Sequence, residues 1–201
     1  MATQVAPEVD ILRREIQDKY TEVASSPELE FHFHHGLPLA RILEYQEEHL
    51  AGLPAEAVES FAGVGNPFSV GQIAVGETVL DIGSGCGFDC FIAAKMVGPT
   101  GKVIGVDMTD AMLEKSQKTA KEMWLTQLEF KKGYAEELPA PDNSVDVVIS
   151  NGVINLTPDK YAIFREAFRV LKPGGRLYLA DIVVYKFISD EIRKEVDLWT
   201  A

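Results

Sequence analysis

The stretch VLDIGSGCGFD, residues 79–89, joins an apolar run to an acidic strand end and then to three alternating glycines that open a helix. Val79, Leu80 and Ile82 carry the aliphatic pattern of a buried strand. Asp81, Gly83, Gly85 and Gly87 follow the spacing D-x-G-x-G-x-G. Glycine tolerates positive φ and leaves room for close approach, so Gly83 and Gly85, with Ser84 between them, can bring the backbone against a ligand. A dinucleotide fingerprint reads G-x-G-x-x-G and seats a pyrophosphate on the helix N-terminus. Here the third glycine comes one residue early and a carboxylate precedes the first. Asp81 repels a phosphate and attracts a cation.

Residues 102–108, KVIGVDM, read as the next buried strand and end in Asp107 and Met108. In open parallel sheets ligands lie beyond the carboxyl ends of the strands, and an acid about 20 residues past the glycine turn takes the ribose hydroxyls. Asp107 stands at that distance, and Met108 would lie on the base. A nucleoside that carries cations and no phosphate fits both acids. S-adenosyl-L-methionine, with its ammonium and sulfonium, is therefore the expected cofactor. Either acid alone reads equally well as a turn residue, but strand, glycine turn, helix, strand and acid in register argue for the site.

With 201 residues, 46% hydrophobic and 25% charged, the chain has the composition of one soluble domain with a sizeable core. A net charge of −12 argues against a nucleic-acid partner and against an anionic membrane. No run of 18 apolar residues occurs, and MATQVAPEVD lacks the basic segment and apolar core of a secretory signal, so a cytoplasmic location is expected. The two cysteines, Cys86 and Cys90, lack the further ligands of a zinc site, and no metal is expected. Cys90 falls with Ala93, Ala94 and Val97 at helical spacing and reads as core. His32, His34 and His35 alternate with Phe31 and Phe33 in a segment expected to close over the cofactor, and a histidine there is also a possible proton acceptor. Asn151 and Asn155 read either as acceptor-orienting groups or as turn residues.

Residues 1–67 lack strand periodicity and read as a helical cap, with Val9, Leu12, Ile16, Tyr20 and Val23 on one stripe and a second helical region over 38–61. Residues 68–201 read as the ligand-binding α/β unit. Helices are expected over 88–97 and 110–123, and strands over 103–106, LEFKKG (128–133) and VDVVISN (145–151). Thr157 and Pro158 signal a further helix with Phe164, Ala167, Phe168 and Leu171 inward, stopped by KPGG and followed by the strand RLYLADIVV, 176–184. The closing YKFISDEIRKEVDLWTA reads as a loop and a helix capped by Ser189.

Together with the glycine turn and Asp107, the segments GYAEELPAPDNSVDVVIS (133–150) and VLKPGGRLYLADIVV (170–184) give the chain a clear likeness. It resembles a Rossmann-like (class I) S-adenosylmethionine-dependent methyltransferase across residues 77–184. The resemblance implies a doubly wound, mostly parallel sheet and transfer of a methyl group to a small-molecule acceptor, leaving S-adenosyl-L-homocysteine. It also implies that the backbone at Tyr134 and Ala135 and the side chain of Glu136 lie near the adenine, with Ser150 beside the methionine part. No side chain need act as a nucleophile, so the catalytic residues stay unassigned.

A narrower resemblance runs through EFHFHHGLPLA (30–40), LPAEAVESFAGVGNPF (53–68), SNGVINLTPDKYAIFREAFRVLKPGG (150–175) and VDLWTA (196–201), which are similar to bacterial arsenite methyltransferases. That likeness implies arsenic-binding thiolates in the segment 62–65, at position 152 and beyond the last helix. Ala62, Val64 and Gly152 offer no sulfur, and soft metalloids need soft ligands. It also implies two further strands that this chain lacks, which would leave its fifth strand as an edge open to pairing with a second copy. A non-catalytic cofactor-binding protein or fragment remains the alternative. An NAD-dependent oxidoreductase is disfavoured by the glycine spacing and Asp81.

Overall fold

A computed structural model describes residues 8–26, 34–186 and 199. Five strands, β1 (Thr78–Ile82), β2 (Lys102–Asp107), β3 (Leu128–Lys132), β4 (Val145–Asn151) and β5 (Leu171–Ala180), form one sheet in the order β3-β2-β1-β4-β5. Every neighbouring pair is parallel. The chain winds outward from β1 to β3, then returns to place β4 on the other side of β1. That reversal leaves a crevice at the carboxyl ends of β1 and β4, where open α/β sheets bind ligands.

Side chains alternate across each strand, and the alternation builds two cores. Val79, Val103, Val147 and Ile149 face one way, towards α5 (Phe88–Val97) and α6 (Asp110–Glu122). Leu80, Ile104, Val106 and Val148 face the other, against Ile163, Ala167 and Val170 of α7 (Lys160–Val170). Asp81 has the parity of Val79, so its carboxylate points to the α5 side and meets Cys90 there.

Before the sheet come α1 (Val9–Ser25), α2 (Gly36–Ile42), α3 (Glu47–Leu50) and α4 (Ala55–Glu59). The single helical region expected over 38–61 is thus three short helices. Glu44 at φ 59° and Gly52 at φ 75° turn the chain between them. Tyr45 wedges this segment onto the α5 face through edge contacts with Phe61, Phe68 and Phe88. In α1, Leu12, Ile16 and Val23 are buried as expected, while Val9 is exposed.

The α7 region departs from expectation in three ways. The cap is Asp159, whose carboxylate accepts the Ala162 N–H, not Thr157. The inward face is Ile163, Ala167 and Val170; Phe164 and Phe168 point outward, the latter 83% exposed. The helix ends at Val170, ahead of KPGG as expected, but KPGG then bulges within β5 instead of preceding it. There Leu171 pairs with Val145 and Arg176 with Val147, which leaves the four intervening residues to loop out. The strand also ends earlier than expected, at Ala180, because the Asp181 carboxylate turns back to accept the Ile154 and Asn155 N–H groups. The segment 27–33, which includes His32, and the expected Ser189-capped helix lie outside the described residues. No helix among the described residues is long and apolar enough to cross a membrane.

Candidate cofactor and acceptor site

A cavity of about 1080 Å³, counting the space at its mouth, lies over the carboxyl ends of β1, β2 and β4 beneath the cap. Of the residues picked out by sequence, Asp81, Gly83, Ser84, Gly85, Asp107, Met108, Ala135 and Glu136 all line it. Gly87, Tyr134 and Ser150 do not. Gly87 starts α5 at φ 90°, and a Cβ there would strike Phe130 at 2.6 Å, so its smallness serves packing of the turn on the sheet. Ser150 is fully buried with its hydroxyl 3.4 Å from the Ile82 carbonyl. Gly85, at φ 51°, is different: a Cβ there would meet nothing closer than Met112 Sδ at 3.8 Å, so its open side faces the cavity.

Asp107 holds the turn in place. One oxygen accepts the Gly85 N–H and the other the Thr109 N–H, each at 2.8 Å. Each keeps a second acceptor position for a ligand hydroxyl. Burial raises the Asp107 carboxyl above its ordinary range, and these backbone donors oppose that rise. Asp81 accepts only a weak thiol hydrogen bond, Cys90 Sγ to Oδ2 at 3.2 Å. Burial, and next the Asp89 carboxylate, push it well above the usual carboxylate value.

Asp89, Tyr45 and Asn151 form a polar knot that the sequence did not reveal. Tyr45 Oη donates to Asp89 Oδ1 at 2.7 Å and Asn151 Nδ2 to Asp89 Oδ2 at 3.0 Å. The Asn151 amide oxygen also accepts the Val64 and Gly65 N–H groups, which ties the loop 62–65 to the end of β4. Asn151 is thus an organiser of the wall, whereas Asn155 is not among the lining residues and its amide oxygen is buried and unpartnered. One local signal for Asp89 was available: it is the only acid in α5, a helix apolar on nearly every side.

The cap closes the opposite wall. Leu12, Arg13, Ile16 and Tyr20 of α1 line the cavity. Arg13 pairs with Glu136 at 3.3 Å and lies 4.2 Å over the Tyr134 ring, and Gln17 donates to the Met108 carbonyl at 2.9 Å. Cys86 also lines the cavity, but its sulfur rests 3.0 Å from Met112 Sδ and burial pushes its thiol up to about 11. It is therefore a neutral thiol, not a ready thiolate. Among the described residues, no group of three or more His, Cys, Asp or Glu side chains is placed to hold a metal ion.

S-adenosylmethionine fits this lining on two observations. The Ser84 hydroxyl is buried on the cavity wall without a hydrogen-bond partner, a state that a bound polar group would relieve. Asp81, Asp89 and Asp107 have no Lys or Arg partner among the described residues, so a cationic ligand would compensate them.

Residues 73–200 match the family model described as a methyltransferase domain. The chain is 44% identical over 159 residues to an arsenite methyltransferase of Halobacterium salinarum, covering 79% of this chain and 40% of that protein. It is 42% identical over 102 residues to a demethylmenaquinone methyltransferase of Lactococcus lactis, covering 51% of this chain and 40% of that protein. Among solved structures, an arsenic(III) S-adenosylmethionine methyltransferase from Chlamydomonas reinhardtii superimposes with a TM-score of 0.69 at 40% identity, covering 76% of this chain and 53% of that one. The chain therefore spans about two fifths of the length of the curated relatives it matches. The sheet order, the glycine turn and these matches agree: the chain belongs to the methyltransferase-domain family and is a class I, S-adenosylmethionine-dependent member of it.

Proposed function

We infer that the protein transfers the methyl group of S-adenosylmethionine to a small-molecule acceptor bound beside the loop 62–65, and that arsenite is a poor acceptor for this chain. The observation that carries the reading is that Asp81, Asp89 and Asp107, without a Lys or Arg partner among the described residues, line the same cavity as the orphaned Ser84 hydroxyl. The cofactor, when bound, supplies an activated methyl on a sulfonium. The chain's own residues then have three tasks. Asp107 and Ser84 offer polar partners to the nucleoside, while Met108, Ala135 and Glu136 bound its base. Asp81 and the open side of Gly85 face the charged part. Phe61, Val153, Leu156 and Pro158 exclude water from the space an acceptor would use, and alignment of this kind supplies up to about 7–11 kcal/mol of a barrier.

Acceptor choice turns on Ala62, Val64 and Gly152. A Cβ at Gly152 would lie 3.1 Å from a Val64 methyl, so these positions adjoin, and neither supplies a thiolate. Cys86 is held as a neutral thiol on the cofactor turn. Incubation with S-adenosylmethionine, arsenite and a thiol, followed by chromatography for methylated arsenic, tests this half of the reading. Little or no product is expected; robust turnover that survives Cys86→Ser and Cys90→Ser would overturn it. Self-association along β5, the outermost strand among the described residues, beside the exposed Leu179 and Val183, is part of the proposal, and light scattering across a concentration series tests it.

A further inference from the structure

Asp81 and Asp89 of the cavity wall have no Lys or Arg partner among the described residues, unlike the paired acids of the sheet's other end and of α7. Glu77, Asp146 and Glu166 meet Arg176, Lys172 and Arg169 at 2.7–2.8 Å. Asp81 and Asp89 are each at least 95% buried, and their partners are a thiol, a phenol and an amide. Three groups packed around the pair can also titrate: Cys90 on α5, Tyr45 before α3 and Asp107 at the end of β2. None carries positive charge. Two neighbouring carboxylates without a cation do not both ionise readily; they share protons and titrate as a unit. The unpartnered Ser84 hydroxyl, on the lining of the same cavity, is an independent sign that it awaits a ligand.

We propose that Asp89 is a second carboxylate of the cofactor subsite, and that entry of the cofactor's ammonium expels to solvent a proton which Asp81 and Asp89 share in the empty cavity. Tyr45 and Asn151 act through Asp89 as positioning residues, each donating to a different oxygen. Those two donors oppose the effect of burial, and Asp89 rises only to about 6, whereas Asp81, with its thiol donor, rises further. The sign follows directly. An arriving cation favours the ionised pair, so binding releases a proton and affinity increases as pH rises through the range in which the empty pair still holds that proton, a range that Asp81 extends above the Asp89 value. This inference rests on the cofactor reading above.

The test is calorimetric titration of the full chain with S-adenosylhomocysteine at pH 6 in buffers of different ionisation enthalpy, which counts protons released per ligand bound. About one proton is expected. 5′-Methylthioadenosine, which keeps the adenosine but lacks the ammonium, isolates any contribution from Asp107 and should release almost none. Asp89→Asn should at least halve the release seen with S-adenosylhomocysteine. Equal release by the two ligands, equal release from the variant, or no release from the native chain would overturn the proposal while leaving cofactor binding intact. Absence of binding by both ligands would instead overturn the cofactor reading itself.

Discussion

The two ends of the sheet handle acidic residues in opposite ways. At the amino ends, Glu77 precedes β1 and Asp146 begins β4, and each is tied to a cation on β5. The Arg176 guanidinium holds Glu77 below its ordinary value. At Asp146 burial pulls upward, but Lys172 and the Thr78 N–H outweigh it and the carboxyl is lowered. At the carboxyl ends, Asp81 is next to last in β1 and Asp107 is last in β2, with no Lys or Arg partner among the described residues, and both are raised by burial. The first arrangement holds strands together. The second stores unfavourable charge where a ligand can relieve it, the usual sign that a site is organised for binding at some expense of stability.

Three variants would sharpen or break this contrast. Asp81→Asn should weaken S-adenosylhomocysteine binding by about 2–3 kcal/mol, the range for a hydrogen bond to a charged group. It should not lower the melting temperature, because it relieves a buried carboxyl pair with Asp89 that has no cationic partner among the described residues. A destabilised protein with unchanged affinity would assign Asp81 to the framework. Arg13→Ala should have a smaller effect, about 1 kcal/mol in ligand affinity, since it loses an ion pair with Glu136 and a stacking contact with Tyr134. Stopped-flow release should quicken if α1 clasps the nucleoside side, and an unaltered release rate would detach α1 from that role. Asp146→Asn should act least and in the opposite sense. It should cost about 0.5–1 kcal/mol of folding stability by denaturant titration and leave ligand affinity alone.

The parts of this arrangement that lie close together in the chain were legible in the sequence. The run from Val79 to Asp107 announces strand, turn, helix and strand because its periodicity and glycine spacing are local. The polar knot was not legible. Tyr45 reaches Asp89 across 44 positions and Asn151 reaches Tyr45 across 106, separations that no local pattern records. The inward face of α7 was misread because two rows of apolar residues have helical spacing. Ile163, Ala167 and Val170 match it as well as Phe164, Ala167 and Phe168, and only packing against the sheet decides between them. KPGG (172–175) follows the helix end at Val170 as expected, but its place in a bulge of β5, where Lys172 reaches Asp146, depends on strand pairing that no local pattern records.

The central claim is that the carboxyl end of this sheet holds the adenosyl group of the cofactor, with Asp107 on the ribose. Calorimetric titration of native chain and Asp107→Ala with S-adenosylhomocysteine tests it most directly. The account predicts one site per chain, with affinity weakened in the variant by about 1–3 kcal/mol as ribose hydrogen bonds are lost. Saturable binding of equal strength in both proteins would contradict it.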